Sequence, residues 1–100
     1  MKKGLAETCY LFFSVLKNPL RIAILELLLK EPLNVGEIST ELNIERSIIS
    51  HHLRILLRCK FVFVKRKWRE RIYSVNKETV EPLLELIDLH AKRFGALNSR

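Results

Sequence analysis

Asn34-Val-Gly-Glu37-Ile-Ser-Thr-Glu-Leu42-Asn-Ile-Glu45-Arg46-Ser-Ile-Ile-Ser50-His-His-Leu-Arg54-Ile-Leu-Leu-Arg58 is the stretch on which the fold turns. Asn34-Val-Gly-Glu37 reads as a capping box, in which an Asn side chain and a Glu three residues later satisfy free amides at a helix start. A short helix over Val35–Leu42 is expected. Asn43-Ile44-Glu45 leaves room only for a tight connection. A second helix then runs from Arg46 to about Arg58, with Ile49, Leu53, Leu56 and Leu57 at core spacing. Two short helices joined by so few residues are the signature of a helix-turn-helix.

Upstream, Leu5–Lys17 carries a helical stripe of Leu5, Cys9, Phe12, Phe13 and Leu16. Asn18-Pro19 restarts the chain, Asn as an N-cap and Pro at the first helical position. The helix it opens runs to about Lys30 and is stopped by Pro32. It is apolar nearly all round and is expected to be the central buried helix. Downstream the period changes to two. Phe61–Lys67 and Arg69–Val75, rich in β-branched and aromatic residues, read as a hairpin around Trp68-Arg69-Glu70. Asn76 can cap a last helix, Lys77–Phe94, with Val80, Leu83, Leu84, Ile87, Ala91 and Phe94 on one face. The order α-α-α-α-β-β-α predicts a mainly α winged helix-turn-helix in one domain, 1–100. Its helix-turn-helix would span about 35–58 and its wing about 61–76.

The chain has 100 residues, 48% of them hydrophobic, with three Gly and three Pro. That suffices for one core and argues against disorder. No apolar run approaches the ~18 residues of a membrane helix, and the basic start Met1-Lys2-Lys3 leads into no cleavage site. Cys9 and Cys59 form neither a disulfide framework nor a zinc spacing, so a reduced, cytoplasmic setting is expected. The net charge is +7, unevenly placed: residues 46–71 hold nine cations against Glu70 alone, a charge of +8, and the rest sums to −1. A basic stripe beside a near-neutral body suits a polyanion. Enzyme chemistry is not indicated, since three histidines, two of them adjacent, supply no nucleophile–base–acid set and no Gly-rich phosphate loop is present.

Three segments resemble the ArsR/SmtB family of bacterial and archaeal repressors. Leu16-Lys-Asn-Pro-Leu-Arg-Ile-Ala-Ile-Leu25 is similar to the opening of the family's second helix. Ser47-Ile-Ile-Ser-His-His-Leu-Arg-Ile-Leu56 is similar to its recognition helix, and Val64-Lys-Arg with Arg71-Ile-Tyr-Ser-Val75 to its wing. The likeness covers roughly residues 5–94. Glu45, Lys60 and Trp68 depart from it, standing where a small capping residue and two glycines are usual.

The resemblance implies double-stranded DNA as partner, with the outward face of the second short helix (Arg46, Ser47, Ser50, His51 and Arg54) meeting bases and phosphates. A wing bearing Lys65, Arg66, Lys67, Arg69 and Arg71 would lie along an adjacent groove. It also implies a homodimer through the helices at about 5–17 and 77–94, burying Leu5, Phe12, Phe13, Leu84, Ile87, Ala91 and Phe94. The operator would then be an imperfect inverted repeat. The family's metal positions fall on Asn34 and Gly36, and on Lys77, Thr79, His90 and Arg93, of which only His90 is a ligand type. Asp88-Leu-His90 repeats half of that pattern out of register. No metal site and no cofactor are expected.

His52 reads as a packed, hydrogen-bonded histidine, Cys9 and Cys59 as buried structural thiols, and Trp68 as folded back over the hairpin in preference to wedging into DNA. Two alternatives to a sequence-specific, metal-independent repressor stay open: a sequence-blind architectural DNA binder, and a winged-helix protein-interaction module.

Overall fold

The computed structural model describes residues 4–95; the basic start Met1-Lys2-Lys3 and the last five residues of the expected domain lie outside them. The elements are α1 (Leu5–Leu16), α2 (Pro19–Lys30), α3 (Val35–Leu42), α4 (Arg46–Arg58), β1 (Val62–Lys67), β2 (Glu70–Val75) and α5 (Lys77–Phe94). Each helix start follows from local chemistry. The Asn18 side chain accepts hydrogen bonds from the amides of Leu20 (2.9 Å) and Arg21 (3.2 Å), with Pro19 in the first turn. The Asn34 side-chain Oδ1 accepts from the Glu37 backbone amide at 2.7 Å, and the Glu37 carboxylate accepts from the Asn34 backbone amide at 2.9 Å. The expected capping box is therefore present. Asn43 takes the left-handed conformation (φ 57°) that lets the chain turn directly into α4.

The core gathers Ile24, Leu25 and Leu28 of α2, Ile38 of α3, and Ile49, Leu53 and Leu56 of α4, closed by Phe61, Val62 and Val80. The central place expected for α2 is thus observed. The hairpin pairs Val62 with Val75, Val64 with Tyr73, Arg66 with Arg71 and Lys67 with Glu70. Its base is buried. A third short segment joins it: Leu33 and Tyr73 exchange both backbone hydrogen bonds, at 3.0 and 2.8 Å. The wing is therefore tied to the approach to α3.

Several expectations are corrected. α1 ends at Leu16, and Phe61 is a buried core residue that precedes the strand. The hairpin turns on two residues, Trp68 and Arg69, because Glu70 still pairs with Lys67. Trp68 does not fold back; it is 90% exposed at φ 61°. Cys9 and Cys59 are both exposed: the stripe read on α1 runs past what this one chain can cover, and Cys59 sits at the helix end outside the core. Asn76 makes no side-chain cap. Its side-chain Nδ2 donates to the Lys60 carbonyl at 2.8 Å, tying the start of α5 to the exit from α4.

Candidate nucleic-acid interface

α4 is sharply two-faced. Ile49, Leu53 and Leu56 are fully buried, while Arg46, Ser47, His51 and Arg54 are exposed and Ser50 half-exposed. Arg58, four residues beyond Arg54, continues the outer stripe and is also exposed; the same helical spacing predicts it, so it could have been read from sequence. Only Glu45, without a side-chain cap bond, precedes the first turn.

Between α4 and the wing lies an open polar cleft of about 390 Å³, lined by Asn34, Gly36, Arg46, Ser50, Glu70, Arg71 and Tyr73. Arg46 lies over Gly36 so closely that a β-carbon there would sit 2.8 Å from its Nη2. The bare glycine leaves this space to the guanidinium, a neighbour relation that spacing alone does not reveal. Glu70, the lone acid of the basic stripe, accepts a hydrogen bond from Asn34 Nδ2 at 3.1 Å. The expected surface residues are thus only partly united. Arg46, Ser50 and Arg71 share the cleft. Arg66, directly opposite Arg71, continues that face of the ribbon, whereas alternation puts Lys65 on the other side. Arg69 occupies the turn. Arginines facing each other across a ladder repel, and among the described residues neither meets a carboxylate within ion-pair distance; an anion laid between them would relieve that.

The exposed histidine of the pair is His51; His52 is half-buried. Arg21 donates from Nε to His52 Nδ1 at 3.1 Å and from Nη1 to the Val15 carbonyl at 2.8 Å. One guanidinium thereby links α1, α2 and α4. Burial first, then the Arg21 charge, then His51 hold the His52 pKa below its ordinary 6.5. The packed, hydrogen-bonded role expected for His52 is observed; its partner Arg21 was not foreseen, because no local spacing connects residues so far apart.

The positions that would carry a metal in the wider family do not fit one. Asn34 is spent on α3 and Glu70, and Gly36 lies under Arg46. His90 packs on Phe94, with ring centroids 5.0 Å apart. Asp88 pairs with Lys92 at 3.0 Å, and Lys77 and Arg93 would repel a dication. Among the described residues, no group of three or more His, Cys, Asp or Glu could hold a metal ion.

α1 and α5 expose many large apolar side chains. Leu5, Phe13, Ile87 and Phe94 are half-exposed or more, joined by Tyr10, Leu11, Leu86 and Leu89, which the sequence reading did not include. A groove of about 620 Å³ runs between α1, α2 and α5. Leu84 lines it and is half-buried, as is Ala91 further along α5. Phe12 instead packs on Phe61 of its own chain, centroids 5.1 Å apart. No helix among the described residues is long and apolar enough to cross a membrane.

The chain has relatives that agree with this geometry. Residues 18–63 match the model of the arsR family of bacterial regulatory proteins. The HTH-type transcriptional regulator Rv0081 of Mycobacterium tuberculosis is 38% identical over 74 residues; the match spans 73% of this chain and 65% of that protein. Its crystal structure superposes with a TM-score of 0.83 at 31% identity, over 92% of this chain and 93% of the other. The transcriptional activator HlyU of Vibrio cholerae is 31% identical over 87% of this chain and 80% of its own length. The homodimeric winged helix-turn-helix DNA-binding domain Mb0332 of Mycobacterium bovis shares the fold, with a TM-score of 0.76 at 21% identity over 100% of this chain and 97% of that one. With its two-faced α4, its tethered wing and these relatives, the chain belongs to the ArsR family of winged helix-turn-helix transcriptional regulators.

Proposed function

We propose that the protein binds double-stranded DNA sequence-specifically as a homodimer, acts in the cytoplasm, and represses transcription by occluding a promoter without metal control. The observation that carries this reading is the convergence of Arg46, Ser50 and Arg71 on one open cleft between α4 and the wing. A phosphate fits such a cleft, and phosphate contacts fix the register in which a helix meets base edges. Arg46, Ser47, Ser50, His51 and Arg54 then face the major groove. Arg66, Arg69 and Arg71 hold the flanking backbone, and Lys65 and Lys67, on the opposite face of the ribbon, add longer-range attraction. The whole chain, 1–100, serves as the one domain of each protomer. Leu5, Phe13, Leu84, Ile87, Ala91 and Phe94 are the dimer surface, with Phe12 supporting it from the core. The Mb0332 domain is homodimeric, which suits the uncovered α1–α5 face. HlyU is named an activator, so the repressing sign is this proposal's own. Metal independence is supported by ligand positions turned into cations or committed to other bonds.

Selection of duplexes from a random pool tests the reading. Recovery of an imperfect inverted repeat, half-sites ~34 Å apart, bound with steep salt dependence and indifferent to zinc, is expected. Equal binding to all duplexes would favour an architectural role, binding to none a protein-docking role, and release by zinc would remove the metal-free part.

A further inference from the structure

Trp68 is the only tryptophan of the chain. It occupies the first position of the two-residue turn that ends the wing, at φ 61°. Such turns take Gly, Asn or Asp, because a β-carbon is strained at positive φ. Here the strained place holds the bulkiest side chain available, and that side chain is 90% exposed. Nothing in its own fold explains the choice. Positive-φ outliers that the surrounding packing does not require point toward function.

What surrounds the indole says what could cover it. Lys65, Arg66, Lys67, Arg69 and Arg71 flank it within the same hairpin. Arg66 and Arg71 share one face of the ribbon and Lys65 lies on the other, so a surface that buries the ring meets cations from whichever side it comes, and an aromatic interleaved with basic residues suits a polyanion that offers sugars and bases to stack on. Reach agrees. Strands of six residues carry the tip ~17–20 Å along the ribbon, and half a turn of B-DNA is about 17 Å. With α4 in the major groove, the tip arrives at the neighbouring minor groove. We propose that Trp68 is an apolar wedge that enters the minor groove flanking each half-site, adding a preference for easily deformed A·T-rich flanks. Apolar wedges at base steps partly unstack and kink DNA, and the cost depends on the sequence that is bent.

This rests on the DNA-binding reading above, so the test is built to separate the two. The probe is the duplex recovered from the random pool by the unaltered protein. Its binding should change Trp68 emission, an uncomplicated signal from a lone tryptophan. Trp68→Gly removes no charge and relieves the backbone. It should fold at least as stably, keep the salt slope, and bind about tenfold more weakly. Trp68→Phe should recover most of that loss. Replacing flanking A·T pairs with G·C should weaken the unaltered protein more than Trp68→Gly. Inosine·C flanks, which lack the minor-groove amino group of guanine, should restore binding. Should the duplex bind while emission stays constant and Trp68→Gly binds equally well, the wedge is refuted and the DNA reading survives. Failure to retain any duplex overturns both. An emission change with anionic phosphatidylglycerol vesicles and none with DNA would assign the ring to a membrane surface and overturn the wedge.

Discussion

Arg21 and His52 make the clearest single-residue prediction. His52 accepts a hydrogen bond at Nδ1, so it must be unprotonated there for the joint between α2 and α4 to exist. Its folded pKa lies below 6.5. Between those two values the unfolded chain binds the extra proton, so acid favours unfolding. Stability from this joint is fully present above pH 6.5 and is lost as pH falls through the lowered folded value. His52→Asn puts an amide oxygen near the Nδ1 position and cannot be protonated in this range. Thermal melts between pH 7.5 and 5 should show the unaltered protein losing stability faster than His52→Asn; parallel curves would deny the joint its role. The site's residues were unequally legible for a related reason. The outer face of α4 follows from helical spacing, so Arg46, Ser47, Ser50, His51 and Arg54 could be named in advance. Arg21–His52, Asn34–Glu70 and Gly36–Arg46 are contacts made by the tertiary fold, and no local pattern carries them.

The exits of the elements explain where sequence and structure part. After α4, the Phe61 amide reaches the Leu56 carbonyl at 2.9 Å and the Lys60 amide reaches Leu57 at 3.1 Å. This is the Schellman arrangement, which wants glycine at its left-handed position. Lys60 fills it at φ 67°. Relief of a strained β-carbon outweighs the extra freedom glycine gives the unfolded chain. Lys60→Gly should therefore stabilise the protein by about 0.5 kcal/mol, raising Tm by ~2–4 °C; an unchanged or lower Tm would show that the lysine is unstrained. The same departure from glycine was visible at Lys60 and Trp68 in the sequence, and in both the backbone kept the glycine-like conformation. Helix starts were legible because Asn18 and Asn34 cap by local hydrogen bonds. Asn76 has the same residue type and is not a cap: its side-chain Nδ2 donates to the Lys60 carbonyl, which turns the side chain toward the exit from α4. Cys9 is exposed where burial is expected, because an apolar stripe does not say whether its cover comes from the same chain.

That last point reaches the whole molecule. Its radius of gyration is 14.9 Å, with extents of 44 × 41 × 22 Å, against about 13 Å for a compact domain of this length. The excess fits helices and a wing standing out from a small core. Exposed Leu5, Phe13, Ile87 and Phe94 set large apolar side chains on α1 and α5, the kind of surface that marks a protein–protein contact where it is contiguous. A second copy across a two-fold axis would cover it and set two α4 helices to read two half-sites. Phe13→Glu and Ile87→Glu each place a charge in that surface. Both residues are about half exposed (51% and 50%), so the core survives and each variant should fold. Sedimentation should show monomers. If each protomer releases the same number of counterions, the salt slope on the inverted repeat should halve. Affinity should fall by at least ~100-fold, since one half-site's contacts are lost together with their simultaneous engagement. A variant that sediments as a monomer yet binds the full site with the original slope would mean that one chain makes every contact alone, and the two-fold reading of the operator would have to be abandoned.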